Sequence, residues 1–188
     1  MANPLLERAL PAELAERGQI IEFKGNVGQF ERLNAVAEAD LAALDKSARL
    51  PDRAEMPVSV RLEFSWLDAE RRVPAMSGSA SLVLWAVCQR CLEPFEMSVE
   101  TTFGMLFADD ESDDAALDAP GFETWVLDDG GIRLQDVVEE SLVMALPLAP
   151  VHESPEDCGS LAGKLTAAAP ETIRPFAELR EQLKKTDK

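Results

Sequence analysis

Histidine occurs once in this chain and cysteine three times. So few cysteines, and an odd number of them, argue against a disulfide framework and leave metal binding, catalysis or plain burial as their uses. The opening stretch MANPLLERALPAELAERG carries charges at Glu7, Arg8, Glu13, Glu16 and Arg17, which break the apolar core that a secretory signal needs. No later run reaches the roughly 18 uninterrupted apolar residues of a membrane span. A cytoplasmic protein is therefore expected. A phosphate-cradling glycine loop, a Gly-x-Ser-x-Gly elbow and a dinucleotide fingerprint are also missing, which removes the chemistries those motifs serve. The lone histidine has no partner in sequence that would complete a catalytic constellation, so a non-enzymatic protein is expected.

Bases are scarce in one region above all. The formal charge is −17, and residues 101–160 hold 15 acids against a single base. Residues 1–100 hold 16 acids and 11 bases, and residues 161–188 hold 4 acids and 6 bases. A surface of that sign repels phosphate at long range and suits a basic protein partner better than broad contact with nucleic acid. The plainer alternative is that the acids keep the chain soluble. The densest run, DDESDDAALD from Asp109 to Asp118, reads as a loop too polar for a core. Within it, Asp109, Asp110, Asp113 and Asp114 are the candidate contacts to a partner.

The remaining composition, 46% hydrophobic and 28% charged, is that of a folding globular chain. Its length suits one domain with tails: an N-terminal segment over 1–19, a single α+β domain over 20–160 that includes the acidic loop 109–118, and a linker with a basic C-terminal helix over 161–188. LPAELAERG offers Pro11 to a first helical turn and Gly18 to its end. QIIEFKG reads as a strand. Phe30, Leu33, Val36 or Ala37, Leu41 and Leu44 then recur at helical spacing.

From Pro57 the period changes to two: Val58, Val60, Leu62, Phe64 and Trp66 alternate with Ser59, Arg61, Glu63 and Ser65, the pattern of a strand with one buried face. Further strands are expected over Ala80 to Val87, Phe95 to Phe107 and within FETWVL. The three runs between Val58 and Phe107 make an antiparallel meander, with closure towards a barrel as one option. RLQDVVEESLVMALP places Leu134, Val137, Val138, Leu142 and Ala145 on one helical face and Asp136, Glu139 and Glu140 away from it, so a principal helix of about Arg133 to Leu146 should pack on the sheet, with short helices at the periphery.

Cys88 and Cys91 stand two residues apart between two predicted strands, in WAVCQRCLEPF, and His152 and Cys158 follow the principal helix in VHESPEDC. Two short clips, each giving two Cys or His ligands, are a common way to assemble a structural zinc site. The spacing of the second clip is generous, and Pro155 has to turn it back. Other readings stay open. Cysteines are often just small buried hydrophobes. A redox Cys-x-x-Cys pair typically opens a helix rather than joining strands. The His152–Glu153 pair resembles half of a zinc-deaminase signature, but with the order of motifs reversed.

The segment CQRCLEPF, the acidic run and LQDVVEESLVMALPLAPVHESPEDCG together resemble the YceD-like family of bacterial large ribosomal RNA subunit accumulation proteins. The resemblance extends over roughly residues 20–185, to the closing RPFAELREQLKK. It implies a role in the synthesis, processing or stability of large-subunit (23S) rRNA, exerted on ribosomal or ribosome-assembly proteins or directly on rRNA. Direct contact would use a local basic patch drawn from Arg71, Arg72 and Arg90 near strand turns and from Arg180, Lys184, Lys185 and Lys188 on the tail. A zinc-dependent RNA-processing enzyme is the remaining alternative.

Overall fold

A computed structural model describes residues 3–42, 52–67, 73–108, 119–127 and 131–159. In chain order the elements are β1 (Arg8–Ala9), α1 (Pro11–Glu16), β2 (Ile20–Asn26), α2 (Glu31–Leu41), β3 (Pro57–Trp66), β4 (Pro74–Val87), β5 (Pro94–Ala108), β6 (Glu123–Val126), β7 (Ile132–Arg133) and α3 (Leu134–Ala145). The fold is α+β. Five strands make one sheet in the order β2-β3-β4-β5-β6, and β1 pairs with β7 in a separate two-stranded ribbon.

Alternation along β3 does what period two requires: Val58, Val60, Leu62 and Phe64 are buried while Ser59, Arg61, Glu63 and Ser65 are exposed. Antiparallel register carries that face across the sheet, pairing Val60 with Phe23 on one side and with Ala80 on the other. Strand β4 starts six residues before the expected Ala80, at Pro74, because its first half alternates small residues. Gly78 is one of them. A Cβ there would come within 2.2 Å of the Phe103 ring, which lies across it from the paired strand.

The expected antiparallel meander stands as β3-β4-β5. Strand β6 joins it by pairing with β5 in parallel. The sheet does not close into a barrel: among the described residues it is open, with β2 and β6 at its ends. Pairing of β6 covers only Met105 to Ala108 of the much longer β5.

The helices cover the apolar face. Leu134, Val137, Val138 and Leu142 of α3 are fully or almost fully buried, as their spacing predicts. Leu33, Ala37 and Leu41 of α2 are buried too, while Val36 is 38% exposed, so Ala37 rather than Val36 belongs to the core stripe. Leu44 lies outside the described residues. Helix α1 starts at Pro11, and Gly18 beyond its end takes a φ of +54°, a region glycine enters without a Cβ clash. Ahead of α1, Leu5 is buried in the main core and its carbonyl accepts from the Gln135 N–H at 3.0 Å.

Glu139 departs from its expected exposed position. It is only 6% exposed, and its Oε1 accepts the backbone N–H groups of Arg32 (2.7 Å) and Leu33 (3.2 Å). Helix α2 follows Phe30, which has no side chain able to cap it. Its first-turn donors would be orphaned without a partner. The carboxylate from α3 supplies that partner and sits at the positive end of the α2 dipole.

Candidate metal centre

The first clip is the hairpin between β4 and β5. The Cys88 N–H donates to the Glu93 carbonyl (3.0 Å), and the Leu92 N–H to the Cys88 carbonyl (2.8 Å). Closing so short a turn puts Leu92 at a φ of +59°, uncommon for a branched side chain, and leaves that side chain 60% exposed. Cys88 and Cys91 are both fully buried beneath it.

The second clip arrives from the far end of α3. Beyond Pro147 the chain is drawn onto the hairpin by the Gln89 N–H, which donates to the Pro150 carbonyl at 2.8 Å. His152 follows. Ser154 then caps a single 3₁₀ turn, Pro155–Asp157, by accepting the Glu156 N–H at 3.2 Å. That turn, with Pro155 at its first position, folds the generous spacing back on itself. Cys158 thereby returns to within 3.6 Å of His152 Nδ1.

All four expected ligands converge. One donor atom from each of Cys88, Cys91, His152 and Cys158 lies within 4.8 Å of every other. Cys88 Sγ stands 3.9 Å from Cys158 Sγ, and Cys91 Sγ 3.7 Å from His152 Nδ1. Tetrahedral zinc with bonds of about 2.3 Å to sulfur and about 2.05 Å to nitrogen would separate two sulfurs by about 3.8 Å, and a sulfur from a nitrogen by about 3.6 Å. These separations of 3.9, 3.7 and 3.6 Å match edges of that tetrahedron. The cysteines are free thiols, and no fourth position is left for water once all four ligands are engaged.

Proton affinities divide within the cluster. Burial alone pushes the Cys88 thiol up, but the backbone N–H groups of Cys91, His152 and Arg90, helped by the His152 side chain, outweigh it and bring the group down to about 5. Burial and the neighbouring Cys88 and Cys91 sulfurs push Cys158 up to about 11. Sulfur-directed backbone N–H groups stabilise a coordinated thiolate in the same way.

Around the ligands stand residues whose roles the sequence left unstated. The Phe95 ring stacks on His152 with centroids 4.5 Å apart and planes 36° from parallel. Arg90 is half-buried and its Nη2 donates to the His152 carbonyl, while its Nε is buried without a hydrogen-bond partner. Its adjacency to Cys91 was the only local sign of this. Of the other candidate contacts, Asp109, Asp110, Asp113, Asp114, Arg71, Arg72, Lys184, Lys185, Arg180 and Lys188 lie outside the described residues. The C-terminal helix expected over 161–188 does as well.

Sheet and site thus define a class: an α+β protein whose hairpin and post-helix loop bring together a Cys3His cluster able to hold a metal ion. Residues 76–184, which contain all four cluster residues, match the family described as large ribosomal RNA subunit accumulation protein YceD. A protein of that name from Haemophilus influenzae is 32% identical over 126 residues, covering 64% of this chain and 70% of the relative. The chain belongs to the YceD family, as its sequence resemblance implied. No solved structure matches it. Among the described residues no helix is long and apolar enough to cross a membrane.

Proposed function

We propose that this protein promotes accumulation of 23S rRNA in the cytoplasm as a non-enzymatic assembly factor, acting through contacts with basic ribosomal or ribosome-assembly proteins. Family membership over residues 76–184 is the observation that carries the reading. The acid excess of residues 101–160 supports protein rather than RNA as the direct contact, since it repels phosphate and attracts basic surfaces. Arg90, engaged with the His152 carbonyl, is already committed within the protein, which further favours that choice. Zinc is the metal that the Cys3His donor set suits, and a site closed by four protein ligands has the character of a structural clasp. Cys88 and Cys91 would hold it from the hairpin, His152 and Cys158 from the loop after α3.

Depletion of the protein in cells, followed by quantifying mature large-subunit against small-subunit rRNA, tests the role. The ratio should fall and be restored by the intact chain; an unchanged ratio overturns the reading. Elemental analysis of purified protein should find about one zinc per chain, and none in Cys88→Ser. Capture at moderate salt should retain a basic protein, whereas retention of rRNA by the purified chain alone would favour direct binding.

A further inference from the structure

Strand β5 is long, and only Met105 and Leu106 are paired on both sides. It pairs with β4 from Pro94 to Leu106 in one unbroken register, but with β6 only from Met105 to Ala108. The Ala108 carbonyl accepts the Leu127 N–H and so points away from β4. Backbone groups alternate sides along a strand, so those of Glu96, Ser98, Glu100 and Thr102 point the same way. Among the described residues no strand meets them. Glu96 to Thr102 span roughly 20 Å at the usual strand rise, an open edge of the kind that accepts an added strand.

We propose that this edge of β5 binds an extended basic segment of a partner protein by strand addition. The side chains of Glu96, Ser98, Glu100 and Thr102 are all exposed, and they share the sheet face opposite the core. An added strand would set alternate residues beside the two glutamates, where lysine or arginine is favoured as a cross-strand neighbour. At the Thr102 end its other residues would face a groove of about 580 Å³ between β5, the segment 121–123 and α3, lined by Phe103, Met105, Phe122 and Met144 together with Glu123 and Glu140. Met144 is 76% exposed there, so apolar side chains gain cover in the groove. The fitting sequence alternates basic with apolar residues. A second copy of this chain would bring its own Glu96 and Glu100 against the first pair, and like charges across strands repel. The inference names the surface and partner chemistry for the protein-contact reading and rests on it.

The test titrates a blocked peptide of about eight residues, alternating lysine and valine, into isotope-labelled full-length protein. Amide resonances of Glu96, Ser98, Glu100 and Thr102 should shift and gain protection from exchange, while a glutamate–valine peptide of equal length should bind about tenfold or more weakly. Ser98→Pro removes an outward N–H, a change that an open edge tolerates, and the double variant Glu96→Lys with Glu100→Lys reverses the charge. Both should weaken the lysine–valine peptide by about tenfold or more with near-unchanged spectra elsewhere. Binding that neither variant weakens, self-association through these amides, or an RNA oligonucleotide that shifts them instead would each overturn the proposal. An unaltered rRNA ratio on depletion would sink the accumulation role and leave this titration as it is, so the two failures are distinguishable.

Discussion

Cys88 shows how a backbone can set the state of a side chain. It is fully buried, which should favour the neutral thiol, yet N–H groups from its own turn and from the incoming loop reverse the outcome and lower it to about 5. In metal-free protein the thiolate signal in the ultraviolet should therefore persist at neutral pH, fade as pH falls through about 5, and be absent in Cys88→Ser. The linkage follows in sign. A depressed folded-state value contributes stability above the unfolded value, roughly 8.5, that is lost as the pH drops through the folded one. Metal-free protein should accordingly unfold more readily on acidification than Cys88→Ser does relative to its own neutral-pH stability. Equal acid sensitivity of the two would show that the thiolate contributes nothing.

At the next scale, α2 and α3 are joined by one carboxylate. Glu139 serves as the cap that Phe30 cannot be, reaching from α3 to two donors in the first turn of α2. Replacing it with alanine orphans both, and should cost on the order of 1–3 kcal/mol; Glu139→Gln, which keeps an acceptor, should cost less. Denaturant unfolding of the two variants checks the order. On the same helix, Leu142 is fully buried, so Leu142→Ala should cost about 2–5 kcal/mol through lost transfer energy and the cavity left behind. The hairpin and the loop after α3 share no regular secondary structure. Their mutual attachment comes from the Gln89 to Pro150 and Arg90 to His152 bonds and the four-residue cluster. Chelation should thus lower the thermal midpoint of wild-type protein but leave that of Cys88→Ser unmoved, as metal binding is linked to folding.

Across the molecule, charge is separated along the chain: 15 acids to one base over 101–160, against 6 bases to 4 acids over 161–188. An acidic protein of net charge −17 can shield a basic partner until rRNA, with far denser charge, replaces it. Changing Asp109, Asp110, Asp113 and Asp114 together to asparagine should weaken capture of the proposed basic partner and make what remains less sensitive to added salt. The thermal midpoint should stay within a degree or two, because a run this polar in sequence has no place in a core. A stronger cellular effect from these neutralising changes, with rRNA retained by the purified chain, would instead favour direct RNA contact.

Local pattern was enough for the principal elements of this protein, though not for the β1–β7 ribbon or the first half of β4. Period-two burial in Val58 to Phe64 and the apolar stripe of α3 both depend on near neighbours in sequence, because the geometry of a strand or helix dictates which residues share a face. The scarcity of cysteine and histidine likewise singled out the four residues of the cluster before any geometry was known. Folding settled what depends on distant partners. Glu139 looked like a solvated acid because its two donors lie more than 100 positions away. The parallel pairing of β6 and the open sheet depend on how the chain returns after β5, which alternation does not encode. Convergence of Cys88 and Cys91 with His152 and Cys158 required the chain after α3 to return to the hairpin, with one 3₁₀ turn to close the second clip. Sequence spacing supplies donor atoms, but a tetrahedron needs them placed in space, and only packing of the helix on the sheet sets that placement.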